Sequence, residues 1–122
     1  MFDFKEETLL DGVIETTTSD PVNVELAKHI GLQFLCADRE SGNGVFTVEA
    51  TIDGTNWVAL STLIDNVANA NSEQLTRVAS KTLSADGSVL VFLENIMSVK
   101  ALRVKVTVTT DGTYSAFLIA KA

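Results

Sequence analysis

The sequence has one histidine and one cysteine, the residue types that most often carry acid–base, nucleophilic or metal chemistry. His29 has no second histidine or cysteine near it, so its spacing predicts neither a zinc site nor a Ser-His-Asp triad. Cys36 alternates with Ile30, Leu32 and Phe34, a pattern typical of a buried structural thiol. One cysteine also excludes an intrachain disulfide. We therefore predict structural or surface roles for both residues.

Acidic residues are numerous, and four aspartates could serve a metal. Asp53, Asp65, Asp86 and Asp111 could meet at one end of a fold and bind calcium, because that ion prefers oxygen ligands. Aspartate is also common in turns, where it tolerates left-handed backbone geometry, and we favour this interpretation. No carboxylate pair stands out for glycoside hydrolysis, and the Gly-Lys-Ser/Thr step of a phosphate-binding loop is missing. We expect a protein that is no enzyme and has neither cofactor nor metal.

Trp57 is the residue that a carbohydrate-binding site would use, and its orientation depends on a hairpin. Residues 45–52 alternate strictly between apolar and polar side chains, as a strand with one buried face does, apart from Val45 at the start. Asp53-Gly54 follows, and Asp-Gly between such runs is a strong hairpin signal. A two-residue turn there places Trp57 opposite Ala50, facing inward. We therefore predict core packing for Trp57.

Further short apolar runs separated by turn residues predict an all-β chain. The predicted strands are 13–19, 22–26, 30–37, 45–52, 88–93, 101–109 and 113–120. The run 88–93 is nearly continuous in apolar residues, which is typical of a strand covered on both faces. Segment 61–80 reads either as a short helix starting near Ser72 or, as the context favours, as a loop leading into an edge strand.

Strand length and spacing predict the architecture. Short strands closed by turn residues indicate one antiparallel two-sheet β-sandwich, jelly-roll-like, over residues 1–122. Residues 1–11 form either the first strand or an N-terminal arm, since Phe2 and Phe4 alternate around Asp3.

The last two strands suggest an interaction surface. Asp111-Gly112 is expected to close a second two-residue hairpin with Val106 opposite Phe117. That register leaves an apolar stripe on the outer face of the last strand, either as an interface or covered by segment 61–80. Phe2 and Phe4 are further candidates for contact with a neighbouring chain. The candidate interface residues are Tyr114, Ala116, Leu118, Ala120, Phe2 and Phe4.

Charge and hydropathy limit the partners. Nine basic and sixteen acidic residues give a net charge of −7 without a basic block, so binding to a phosphate backbone is unfavourable and no nucleic acid partner is expected. No apolar stretch approaches the ~20 residues that span a bilayer. The N-terminus lacks the basic and apolar regions of a secretory signal, so we expect a protein made in the cytoplasm with no membrane partner.

Three strings resemble a known family. They are GVFTVEATIDGTNW from Gly44, LRVKVT from Leu102 and GTYS from Gly112. They resemble small β-sandwich virion proteins of tailed bacteriophages over residues 22–121. The resemblance implies a capsid decoration, cement or head-fibre component located in the virion. Its implied partners are the major capsid protein or other virion proteins and further copies of itself, and no catalytic residue is transferred.

The alternative from another class is a carbohydrate-binding or host-attachment module of a phage tail or fibre. It requires Trp57 or Tyr114 to be exposed beside hydrogen-bonding side chains.

Overall fold

The computed structural model describes residues 4–65, 76–93 and 99–122. Within these ranges the chain forms twelve β-strands and no helix, and all strand pairs are antiparallel. Two sheets pack face to face over one shared core. The predicted all-β antiparallel sandwich is confirmed.

Sheet A has six described strands. In sheet order they are β1 (Phe4–Val13), β12 (Thr113–Lys121), β4 (His29–Ala37), β10 (Gly87–Leu93), β7 (Leu63–Asp65) and β8 (Thr76–Val78).

Sheet B is built around two long central strands. Its strands in order are β2 (Thr17–Thr18), β11 (Ala101–Thr109), β5 (Asn43–Thr51) and β6 (Val58–Ala59), with β3 (Val22–Asn23) also paired to β11 and β9 (Lys81–Leu83) also paired to β5. The last strand of the chain lies between the first and the fourth in sheet A, while β11 lies beside β5 in sheet B. This interleaving of early and late strands is a jelly-roll arrangement, as predicted.

The core follows the predicted alternation on the long strands. One side chain in two points between the sheets, because successive side chains of a strand face opposite ways. The buried hydrophobic residues of β4, β5 and β11 are Ile30, Leu32, Phe34, Cys36, Phe46, Val48, Ala50, Leu102, Val104 and Val106.

Three aromatic rings join the sheets at the centre of this core. Phe34 of sheet A stacks on Phe46 of sheet B with ring centroids 4.4 Å apart. Tyr114 meets Phe46 edge-on at 6.1 Å. Such pairs contribute about 0.5–1.5 kcal/mol each beyond the area they bury. The Tyr114 hydroxyl donates a hydrogen bond to the Asp111 carbonyl at 2.8 Å, so its burial leaves no unsatisfied donor.

The N-terminal segment forms a strand from Phe4 onward, and residues 1–3 lie outside the described residues. β1 pairs along β12 from Phe4, opposite Lys121, to Val13, opposite Tyr114. The Asp11-Gly12 pair is a bulge within β1, because the register shifts there and Gly12 has a φ of 63°. Phe4 is 57% exposed, whereas Phe2 lies outside the described residues.

The predicted register at Asp53-Gly54 is wrong by one residue. β6 returns along β5 with Ala50 opposite Val58, so Trp57 lies outside the ladder. The Asp53 carboxylate accepts hydrogen bonds from the backbone N–H groups of Thr55 and Asn56, both at 2.8 Å, and this widens the turn. A shift of one residue exchanges the faces of a strand.

The predicted hairpin at Asp111-Gly112 is also wrong. β11 belongs to sheet B and β12 to sheet A, so these residues form a corner between the sheets. Thr110 and Gly112 have φ values of 73° and 107°, which turn the chain out of the plane of sheet B.

The corner reverses the predicted faces of β12. The proposed outer stripe is core, and its exposed fractions are 0% for Tyr114, 0% for Ala116, 3% for Leu118 and 0% for Ala120. These four residues therefore cannot form the outward interface that the sequence predicted.

Segment 61–80 contributes strands where it is described. β7 lies beside β10, and β8 lies at the edge of sheet A, so the edge-strand alternative is the one seen at residues 76–78. The less favoured alternative, a short helix starting near Ser72, falls partly on residues 66–75, which lie outside the described residues.

Leu118 and its neighbour Ile119 offer a matched test of these faces. We expect Leu118→Asp to prevent folding, because truncation of a buried leucine alone costs about 2–5 kcal/mol and a buried unpaired charge adds to that. Ile119 is 36% exposed on the other face, so Ile119→Asp is expected to fold. Circular dichroism and thermal unfolding of both variants measure the difference. A folded Leu118→Asp protein together with an unfolded Ile119→Asp protein would support the register predicted from the sequence, in which Leu118 faces outward.

Candidate functional site

Cys36 and His29 are the side chains best suited to catalysis or metal binding, and neither lies in a reactive site. Cys36 is a free, buried thiol, as predicted, and burial raises its pKa. His29 is exposed at the start of β4. Among the described residues, no group of three or more His, Cys, Asp or Glu side chains could hold a metal ion.

The four aspartates do not converge on one calcium site. Asp53 and Asp111 lie beyond opposite ends of β5, whose nine residues span roughly 30 Å. Asp65 forms an ion pair with Lys81 at 2.7 Å. Asp86 accepts a hydrogen bond from the Arg39 backbone N–H at 3.1 Å.

Two of these carboxylates organise turns, as predicted. The backbone N–H of Asn56, helped by the Asn56 side chain and the Thr55 N–H, holds the pKa of Asp53 well below its usual range. Asp111 accepts the Gly42 N–H at 2.8 Å and the Glu40 N–H at 3.2 Å, and these bonds lower its pKa. Asp111 thereby ties the corner before β12 to the loop of residues 38–42.

Trp57 lies on the outer face of sheet B, against the prediction that it faces inward. The guanidinium carbon of Arg103 lies 4.3 Å from the centroid of the Trp57 ring. Arg103 Nε also donates to Glu49 Oε1 at 2.6 Å. The ring is half-buried, and cation–π attraction holds it against the sheet.

The most distinctive surface is the outer face of sheet A. The strand register aligns Ile119 of β12, Gly31 of β4 and Phe92 of β10 in one row, and Phe117, Gln33 and Leu90 in the next. We call the apolar members of these rows the outer apolar patch: Gly31, Leu90, Phe92, Phe117 and Ile119.

The outer apolar patch is accessible. Leu90 is 42% exposed and Phe92 is 39% exposed, so the prediction that strand 88–93 is covered on both faces is wrong for these side chains. An apolar stripe on the outside of the last strand does exist, but on the alternate residues Phe117 and Ile119.

Gly31 lies in the patch between Phe92 and Ile119. A β-carbon at Gly31 would lie 3.4 Å from Phe92 Cε1 and 3.5 Å from Ile119 Cγ2, which is ordinary van der Waals contact. The backbone at this position therefore does not demand glycine. A glycine inside a strand weakens it and often marks close approach of another group. The groove on this face, which Gly31 helps to line, has a volume of about 580 Å³.

Charged residues border the patch on two sides. Glu6 and Glu7 of β1 line the groove along one flank. His29 and Lys121 line the neighbouring end, beside Gly31, Phe92 and Ile119. The face thus combines an apolar centre with an acidic flank and a basic end.

Comparison with known proteins yields a fold likeness. Neither a protein-family profile nor a curated protein matches the sequence. The structure is similar to the crystal structure of the SPBc2 prophage-derived protein YomS, with a TM-score of 0.68 and 10% sequence identity, over 98% of this chain and 94% of that chain. At this identity, the comparison shows a shared fold. Within the described ranges, the chain has no helix that is long and apolar enough to cross a membrane.

The Asp111 interactions give a pH-dependent test. The lowered pKa of Asp111 means that its ionised form stabilises the folded chain at pH values above the ordinary aspartate pKa, and this stabilisation disappears as pH falls through the folded-state pKa. We therefore expect Asp111→Asn to lower the melting temperature at neutral pH and to approach the wild type in acid. Thermal unfolding from neutral to acidic pH measures this, with Asp11→Asn as the control for loss of an exposed charge. An equal effect of Asp111→Asn at every pH would contradict the assignment.

Proposed function

We propose that this protein is a non-enzymatic structural protein of a bacteriophage virion, a decoration or cement protein that binds the outer surface of the capsid. The observation that carries the proposal is the outer apolar patch on a rigid sandwich. Contiguous exposed apolar patches of a few hundred Å² are often functional in soluble proteins.

The fold and the sequence motifs support a phage setting. The same fold occurs in a prophage-derived protein, and the hairpin string around Trp57 resembles phage virion β-sandwiches. The two observations are independent, since one comes from backbone geometry and the other from residue types.

The surroundings of the reactive side chains also favour a structural role. Cys36 is buried in the core, and Asp53 and Asp111 accept hydrogen bonds from turn backbones. A carboxylate engaged in this way is stabilised as an anion and is a poor proton donor near neutral pH.

The size of the patch fits repeated weak contacts. Aromatic side chains bury 150–250 Å², so Phe92 at 39% exposure offers roughly 60–100 Å² and the patch on the order of 300 Å². At about 25 cal/mol per Å² this is worth roughly 7 kcal/mol, which is comparable to the cost of association, about 4–15 kcal/mol. One such contact is weak, whereas many symmetry-related contacts on a particle bind firmly.

Binding to capsids tests the proposal directly. Purified protein mixed with undecorated capsids of the encoding phage is expected to pellet with them and to saturate at a fixed ratio of copies per capsid subunit. Cryo-electron microscopy of the pelleted particles should then show added density on the outer capsid surface. Protein that stays in the supernatant, together with unchanged capsid density, would contradict the proposal.

A carbohydrate-binding or host-attachment module is the second candidate, and Trp57 is the observation in its favour. The ring is half-buried on the outer face of sheet B, with the hydrogen-bonding side chains of Arg103 and Glu49 beside it. The version that used Tyr114 is wrong, because Tyr114 is fully buried.

Fluorescence discriminates between the two candidates. Trp57 is the only tryptophan, so the emission spectrum reports on this ring alone. Under the leading proposal we expect no change in emission across a panel of cell-surface glycans. A glycan that shifts the emission and whose binding is lost in Trp57→Ala, but kept in Ile119→Asp, would favour the carbohydrate-binding function.

A further inference from the structure

We infer that the outer face of sheet A is a docking surface for a second copy of this chain, with the two copies packed face to face. The face is defined by β1, β12, β4 and β10. The inference rests on the proposed structural role. It assigns the outer apolar patch to contacts between copies of the chain in the decorating layer and leaves contact with the capsid to other surfaces of the sandwich.

Association through the β1 edge of sheet A, which borders this surface, is disfavoured, and this favours the face over that edge. β1 is the exposed edge of sheet A beside β12. Its register is broken twice, between Thr8 and Leu10 and between Leu10 and Val13. It also carries Glu6, Glu7 and Asp11. Bulges and charged side chains are the features by which sheet edges avoid pairing with other chains.

The apolar centre of the face combines a groove with projecting side chains, as docking of two identical surfaces requires. A two-fold interface brings the same patch from both copies together, so it must contain projecting and receding parts. Gly31 lines the floor of the groove, and the exposed side chains of Phe92 and Ile119 flank it on the two neighbouring strands. A side chain of one copy can thus enter the groove of the other.

The charges on this face are complementary to themselves. Glu6 stands at the β1 flank, in the row of Ile119, whereas His29 and Lys121 stand one row away at the basic end. A two-fold axis lying diagonally in the face brings the acidic flank of each copy against the basic end of the other. Such pairing offsets the repulsion between two chains of net charge −7 and fixes their orientation.

The area is of the order that a dimer requires. Four strands spaced about 4.8 Å apart are roughly 19 Å wide, and nine residues extend roughly 30 Å, which gives a projected face of roughly 570 Å². Accessible area exceeds projected area on a corrugated surface. The face is thus comparable to the ~800 Å² per partner of a standard interface.

Sedimentation equilibrium of the full chain, from micromolar to millimolar concentration, tests the inference. We expect a reversible dimer in the wild type. Ile119→Asp should raise the dissociation constant at least about tenfold, which corresponds to about 1.4 kcal/mol. Thr107→Asp, an exposed position on the outer face of sheet B, is the matched control and should leave the constant unchanged.

A charge exchange separates specific pairing from general loss of stability. Glu6→Lys and Lys121→Glu should each weaken the dimer, and the double variant should recover it, because the pairs across the two-fold axis are restored with opposite sign. A wild type that stays monomeric at millimolar concentration would overturn the inference, as would a dimer indifferent to Ile119→Asp.

Capsid pelleting distinguishes this failure from failure of the proposed function. A monomer that still pellets with capsids, and loses pelleting in Ile119→Asp, would show that the capsid is the occupant of the face. That result would overturn self-docking while supporting the virion role.

Discussion

Tyr114 sets the arrangement of the second half of the fold. Its ring lies against the backbone of Gly44 and Gly112, where an added β-carbon would come within 2.5 Å of the tyrosine. Its hydroxyl donates to the Asp111 carbonyl, and burial raises its pKa to about 12, so it remains a donor at any ordinary pH. Because Tyr114 points inward immediately after the corner, every second residue of β12 must do the same. Phe117 and Ile119 are consequently turned outward, and the outer apolar patch follows from this one orientation.

The corner itself depends on a remote segment of the chain. Asp111 accepts backbone hydrogen bonds from the loop of residues 38–42, and the Arg39 side chain donates to the Gly42 carbonyl within that loop. Gly42 packs directly on the corner backbone, since a β-carbon there would clash with the Thr109 carbonyl oxygen. The link between β4 and β5 and the link between β11 and β12 therefore form a single unit at one end of the sandwich.

The contrast between the two Asp-Gly steps shows how far the sequence could be interpreted. Alternation identified β4, β5 and β11 and their buried residues, because a strand with one buried face imposes its period on residue types. The strings around Asp53 and Asp111 are nearly identical, yet one closes a wide turn within sheet B and the other crosses between sheets. The difference lies in what each carboxylate binds: its own following residues for Asp53, and a loop some seventy positions away for Asp111. No local pattern contains that information.

The outer apolar patch could not be predicted from the sequence either, because local pattern does not determine which side chains form it. Leu90 and Phe92 belong to a continuous apolar run, which has no period from which an outer face could be read. Phe117 and Ile119 were assigned inward because the predicted hairpin set the faces of β12 in reverse. The stripe predicted on the outside of the last strand was therefore placed on the wrong residues, and Phe117 and Ile119 could be identified only once the crossing at Asp111-Gly112 was known.

The place of β12 between β1 and β4 also has a consequence for how the chain is made. β1 is synthesised first and, among the strands described, pairs only with β12. At translation rates of about 5–20 residues per second, the residues between them take on the order of ten seconds to emerge. During that interval β1 has no partner, so sheet A cannot close until β12 has emerged from the ribosome. Unpaired strands of nascent chains are prone to aggregate. The charged residues and bulges of β1 disfavour such aggregation until β12 pairs with it.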